Sequence, residues 1–135
     1  MMVLSHALVG AAVGEELNQP LLAFILMAFF HLAMDKIPHF WPKLKKWEAP
    51  FKVFDIGLCG LVLLYILTFQ PPHYVSVFAG AFGGILVDVI FVGIPQVRKS
   101  KYGDWQDKRQ IHKGSPWYLV TDLTAIIIGL TVWIR

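Results

Sequence analysis

The stretch FFHLAMDKIPHF, residues 29–40, places two imidazoles and a carboxylate at four-residue spacing: His31, Asp35 and His39. Residues i and i+4 lie on one face of an α-helix, so His31 and Asp35 are expected to point the same way. His39 follows the helix break that Pro38 imposes and can fold back over them. Imidazole nitrogen and carboxylate oxygen together suit Zn²⁺, Mn²⁺ or Fe²⁺ better than Ca²⁺ or Mg²⁺. The stretch therefore predicts part of a transition-metal site at the end of a helix.

The chain around this stretch is strongly apolar. Of its 135 residues, 56% are hydrophobic, and the mean hydropathy is +0.59. A soluble domain of this size has no interior large enough to hide that much apolar surface. The composition predicts one integral membrane domain spanning residues 1–135. The single cysteine, Cys59, lies in an apolar run, so we expect it in the core and expect no disulfide framework within the chain.

Four apolar stretches approach the roughly 20 residues that a membrane span needs, at residues 20–36, 51–69, 74–94 and 116–134. Residues 3–14 are too short to span, because a helix rises only about 1.5 Å per residue. This segment is expected to be a short helix, either packed into the bundle or re-entrant. The predicted fold is an all-α integral membrane bundle of four transmembrane helices with a short N-terminal helix.

Lys and Arg set the predicted orientation. Every basic residue except Arg135 falls in two segments, 36–52 and 98–113. The positive-inside rule places both segments in the cytoplasm. They contain no nucleic-acid-binding motif, which argues against a nucleic-acid partner. Glu15 and Glu16 lie in the connector on the opposite side, where we expect both to be solvated.

With this orientation, each predicted span carries one aspartate near its cytoplasmic end: Asp35, Asp55, Asp88 and Asp122. A carboxylate in hydrocarbon costs several kcal/mol unless it is paired or solvated. The spans hold no Lys or Arg deep enough to neutralise four such groups, whereas a shared divalent cation can. Two of the four could be stabilised without a metal. Asp55 lies in the first turn of its predicted helix, where the helix dipole stabilises an acidic side chain, and Asp122 can cap its own helix.

Several short motifs carry a family resemblance. SHALVGAAVG near the start, HLAMDKIPH, GAFGGILVDV and a loop histidine before the last helix resemble the membrane-bound metal-dependent hydrolase family, small bacterial and archaeal inner-membrane proteins. The resemblance implies a set of metal-site residues: His6, His31, Asp35, His39, Asp88 and His112. The chain departs from the family pattern at Val87, where relatives carry proline, and in having a single late histidine. The second departure leaves one or two ions open.

The expected chemistry is hydrolysis. A divalent metal, with Zn²⁺ favoured over Mn²⁺ or Fe²⁺, lowers the pKa of a bound water toward neutrality. The basic loops favour an anionic lipid or lipid-linked phosphate. We therefore expect a hydrolase of phosphoester or ester bonds at the cytoplasmic face of a prokaryotic inner membrane. Four residues are candidate acid–base catalysts: His39, His112, Asp55 and Asp122.

Two other functions and one assembly remain open from the sequence. Intramembrane Asp and His also line ion pathways, so a metal or proton carrier is an alternative, although the polar residues stop halfway across the predicted spans. A non-catalytic protein whose metal holds the bundle together would show a full ligand set. The pairs Gly10/Gly14 and Gly80/Gly84 predict close helix approach. The second pair is a candidate seam for a homodimer.

Overall fold

The computed structural model describes residues 3–37, 39–40, 45–101, 112–113 and 117–133. They form five helices of three or more turns, one single-turn helix and two short strands. In chain order these are α1 (Val3–Leu17), α2 (Pro20–Met34), β1 (His39–Phe40), α3 (Lys45–Phe69), α4 (Tyr74–Gly93), α5 (Pro95–Arg98), β2 (His112–Lys113) and α6 (Trp117–Trp133). The strands form one parallel pair. The all-α prediction is confirmed.

Helix α1 lies at the centre of the bundle. It packs most extensively against α4 and also contacts α6, α2 and α3. Most of its residues are buried: Leu4, Ser5, His6, Ala7, Leu8, Gly10, Ala11, Ala12 and Gly14. The Gly and Ala residues keep this helix narrow, so neighbouring helices approach it on several sides. Of the two predicted arrangements for the N-terminal segment, the structure shows the packed one, and the helix runs three residues beyond the predicted end.

The contact between α1 and α4 is made by glycines. A Cβ added at Gly10 would overlap the carbonyl of Gly80, and one added at Gly80 would overlap that of Gly10. Further along, Gly84 lies against the carbonyl of His6. The predicted close approach is therefore confirmed. The structure corrects the homodimer seam, because α1 of the same chain occupies the Gly80/Gly84 face.

Two helices in the described part of the chain, α3 and α4, are long and apolar enough to cross a membrane. The other two predicted spans are apolar but shorter, with 15 residues in α2 and 17 in α6. Apolar side chains on the outside are numerous; Leu21, Phe29 and Val53 are each 72% exposed. Of the four predicted spans, α3 and α4 are therefore the two whose length and composition allow them to cross a membrane. The exposed apolar surface suggests a membrane association.

Short connections fix which helix ends meet. Two residues join α1 to α2, and residues 70–73 join α3 to α4, so each pair is antiparallel. The start of α1, the end of α2, the start of α3 and the end of α4 therefore share one end of the bundle. We call this the basic end, because exposed lysines surround it: Lys36, Lys46, Lys99 and Lys101. The opposite end carries Glu15, Glu16 and the 70–73 turn.

Candidate metal centre

Four of the predicted site residues converge near the basic end. His6 lies on the first turns of α1, His31 on the last turn of α2, Asp35 in the turn that follows, and Asp88 in the last third of α4. Both imidazoles are completely buried, and Asp35 is 1% exposed. The side chain of Asp88 is 18% exposed, so it is the most accessible of the four side chains.

The distances show a compact group. Asp35 lies between the imidazoles, with Oδ2 at 3.3 Å from His31 Nε2 and Oδ1 at 3.6 Å from His6 Nε2. Asp88 faces both rings as well, at 3.9 Å from His31 Nε2 and 4.0 Å from His6 Nδ1. The two rings stack at 4.3 Å between centroids. The predicted i, i+4 relation of His31 and Asp35 is confirmed.

One hydrogen bond orients His31. Its Nδ1 lies 2.6 Å from the carbonyl oxygen of Gly84. A carbonyl can only accept, so Nδ1 carries a proton and donates it to Gly84. The other ring nitrogen, Nε2, faces the carboxylates of Asp35 and Asp88. Histidines that bind metals are oriented by the same arrangement, in which the second ring nitrogen donates to a backbone carbonyl.

The group offers enough donors for a cation. One ligand atom each from His6, His31 and Asp88 lies within 4.8 Å of the other two. His31 Nε2 and Asp88 Oδ2 are buried without a hydrogen-bond partner among the described residues. Buried polar atoms nearly always have partners, so two such atoms side by side suit a bound ion. Two imidazoles with a carboxylate form a set common to Zn²⁺ and non-haem Fe²⁺ sites.

Asp55 and Asp122 lie outside this group. Asp55 accepts hydrogen bonds from the backbone N–H groups of Val3 at 2.7 Å and Leu4 at 3.0 Å. It therefore caps the first turn of α1. The sequence left open that Asp55 interacts with the dipole of its own helix; the structure shows this interaction with the dipole of α1 instead. Asp122 is completely buried on α6, close enough to Asp55 to interact with it electrostatically.

His39 and His112 are paired through the backbone. They are direct neighbours in the parallel pair β1–β2, and β1 contacts α6. Because His39 follows the end of α2 by five residues, the two segments that carry them meet near the basic end. Their side chains lie outside the described part of the structure, so their roles as ligands or acid–base catalysts stay predictions.

Sequence reasoning missed two features. The Gly84 carbonyl anchors His31, and a backbone group leaves no signal in residue type; the glycine-rich stretch of α4 indicated only a close approach. Glu15 was expected to be solvated, and this is wrong for one of its oxygens. Its side chain is half-buried, and Oε2 is buried without a hydrogen-bond partner among the described residues. Glu16 is exposed as expected.

Comparisons with protein-family models, curated proteins and solved structures find no match for this chain.

Proposed function

We propose that this protein is a membrane-embedded, metal-dependent hydrolase that acts on phosphoester or ester bonds of a lipid-linked substrate. His6, His31 and Asp88 would hold the metal, with Asp35 against both imidazoles. The observation that supports this most is the orientation of His31, whose Nε2 faces two carboxylates while Nδ1 donates to Gly84.

Charge balance supports a cation at this place. Asp88 has no ion pair with Lys or Arg among the described residues; its partners are the two imidazoles. An uncompensated carboxylate in an apolar interior is costly. A divalent cation would neutralise it and satisfy the lone pairs of both rings.

The surroundings support hydrolysis at the membrane surface. A bound divalent cation would supply Lewis-acid polarisation of an ester or phosphoryl oxygen and a water of low pKa. A substrate could reach the site at Asp88, whose side chain is partly exposed, and the exposed lysines of the basic end favour an anionic group there. The apolar surface of α3 and α4 would keep this end next to lipid. His39 and His112, brought to the same end by β1–β2, are the acid–base candidates in this proposal.

A structural metal is the second candidate. The complete burial of His6 and His31 favours it, because structural sites are closed and catalytic sites keep an open position. In that case the ion would join α1, α2 and α4 without supporting turnover.

The first test is metal content and affinity. We expect the purified parent protein to carry a transition metal, and His31→Ala and Asp88→Asn to weaken its binding by at least about a hundredfold, since each removes a direct ligand. His73→Ala is the matched control, because His73 is exposed at the opposite end and should leave binding unchanged. Elemental analysis and competition with a chelating dye measure both quantities.

The second test is turnover. Hydrolysis of phospholipid and polyprenyl-phosphate substrates should be lost on chelation and restored by metal. A metal-free parent protein, with Asp88→Asn as stable as the parent, contradicts the metal site. Tight metal binding without hydrolysis of either substrate class contradicts the enzyme and favours the structural role.

A further inference from the structure

The two buried histidines of the metal group differ in what their ring nitrogens face. His31 donates from Nδ1 to the carbonyl oxygen of Gly84 at 2.6 Å, which leaves its Nε2 to face the carboxylates. His6 has a carboxylate at each nitrogen instead. Its Nε2 lies 3.6 Å from Asp35 Oδ1, and its Nδ1 lies 4.0 Å from Asp88 Oδ2.

This arrangement gives His6 two possible ways to bind an ion. A neutral imidazole has one nitrogen that donates and one that accepts. The lone pairs of Nδ1 and Nε2 leave the ring in different directions, so one ion cannot bind both. An ion on one nitrogen of His6 therefore leaves a proton on the other, and that proton faces a carboxylate in either case.

The positions of the two carboxylates decide between the nitrogens. One ligand atom each from His6, His31 and Asp88 lies within 4.8 Å of the other two, and Nδ1 is the nitrogen of His6 that faces Asp88. Asp88 is also the more accessible carboxylate, with its side chain 18% exposed. Asp35 is 1% exposed and lies at the other ring nitrogen. An ion that exchanges with the outside therefore belongs at Nδ1, and the inner Asp35 faces the proton on Nε2.

We propose that Asp35 is a positioning residue rather than a metal ligand. It accepts a hydrogen bond from Nε2 of His6 and thereby fixes Nδ1 as the nitrogen that binds the ion. Carboxylates that accept from the second ring nitrogen orient metal-binding histidines in this way and raise their basicity. The two histidines then bind through different nitrogens, His6 through Nδ1 and His31 through Nε2.

This role rests on the metal site proposed above. Its competitor is a direct bond from Asp35 to the ion, because Asp35 Oδ2 lies 3.3 Å from His31 Nε2. A carboxylate that binds the ion would fill a fourth position, and four protein ligands close a site to water. The role of Asp35 therefore bears on whether the ion keeps the open position that hydrolysis needs.

The first test identifies the ligand nitrogens. Proton–nitrogen NMR of the isotope-labelled protein in detergent, saturated with Zn²⁺, distinguishes a metal-bound ring nitrogen from one that carries a proton. We expect His6 to carry its proton on Nε2 and His31 on Nδ1. His73, exposed at the opposite end, is the internal reference for an imidazole without metal. Binding of both His6 and His31 through Nε2 overturns the proposal.

The second test separates positioning from direct binding. Asp35→Ala removes the acceptor for the Nε2 proton, so we expect Zn²⁺ to bind about ten- to a hundredfold more weakly. Asp35→Asn keeps a carbonyl oxygen that can accept this proton, so its affinity should stay within about tenfold of the parent's. Asp88→Asn is the matched ligand variant, expected to lose at least about a hundredfold. Glu16→Gln, exposed at the opposite end, should change nothing.

Equal losses of affinity in Asp35→Asn and Asp88→Asn would show that Asp35 binds the ion directly, which also overturns the proposal. Thermal unfolding of the metal-free variants shows whether a loss of affinity comes from a loss of the fold, and NMR of the parent needs no variant. A parent that binds no Zn²⁺ refutes the metal site and this role together. A parent that binds Zn²⁺ through Nε2 of His6 refutes the role of Asp35 alone.

Discussion

Asp55 and Asp88 are both aspartates on apolar helices, but different partners reach them. Asp88 meets two imidazole rings, whereas Asp55 meets two backbone N–H groups. The first N–H groups of a helix have no partner within the helix, and the helix dipole favours an anion beside them. Asp55 thus does not need a cation to be stable where it is. Asp88 has no such donors, which is why the metal proposal depends on it.

The cap on α1 gives a prediction at the level of one residue. Asp55→Ala leaves the N–H groups of Val3 and Leu4 buried without an acceptor, so we expect a loss of about 1–3 kcal/mol in the free energy of unfolding. Thermal unfolding in detergent measures it. Glu48→Ala on the same helix is the control, because its pair with Lys52 at 2.9 Å is about 40% exposed and pairs open to solvent contribute little. Equal effects of the two substitutions would argue against the cap.

How far the sequence predicts the site depends on the kind of contact. The spacing of His31 and Asp35 follows from helix geometry, so their shared face was predictable. The partner of Asp55 was not, because Val3 and Leu4 lie more than fifty residues away in sequence and meet it only through helix packing. The burial of Glu15 Oε2 was missed for the same reason, because burial depends on packing between helices and not on residue type.

Helix boundaries were predictable where proline marks them. The predicted spans 20–36 and 74–94 end within two residues of α2 and α4, before Pro38 and Pro95. The start of α3 was predicted six residues late: the helix begins at Lys45 and contains Pro50. The pair β1–β2 is two residues long, too short to leave an alternating pattern.

The glycine contact between α1 and α4 gives a prediction at the level of elements. Gly80→Ala places a methyl group against the backbone of Gly10, which cannot move away without separating the helices. We expect a loss of about 1–3 kcal/mol in stability, as for overpacked cores. Metal affinity should fall as well, because α1 carries His6 and α4 carries Asp88. Unfolding and metal titration in detergent measure both effects.

The same chain supplies the control. A Cβ at Gly57 meets nothing within 4 Å, so Gly57→Ala should leave metal affinity unchanged. Its stability should stay the same or rise by up to about 1 kcal/mol, because alanine is the better helix former. If Gly80→Ala changes stability and metal affinity no more than Gly57→Ala does, α1 and α4 do not pack as closely as described.

On the scale of the whole molecule, charge is separated between the two ends of the bundle. The basic end holds His6, His31, Asp35 and Asp88, and the opposite end holds Glu15 and Glu16. Helix α1 connects them, with His6 near its start and the two glutamates near its end. A membrane orientation with the lysines in the cytoplasm would place the proposed hydrolase site at the cytoplasmic surface and the glutamates at the opposite one.

This orientation requires α2 to cross the membrane although it has only 15 residues. Such a helix covers about 23 Å of a hydrocarbon core of about 30 Å, so a thinner bilayer or the flanking residues must supply the rest. In a Cys59→Ala background, we expect an impermeant thiol reagent to label Gln19→Cys on intact cells, and Lys36→Cys only after the membrane is opened. Both positions are exposed.

The ends of α4 calibrate that experiment. Because α4 is long enough to cross by itself, His73→Cys and Lys99→Cys should show the outside and the inside pattern, respectively. If Gln19→Cys and Lys36→Cys instead give the same pattern as each other, α2 does not cross. Glu15, four residues before Gln19, would then lie on the same side as the proposed metal site, and the bilayer would not separate the glutamates from the lysines.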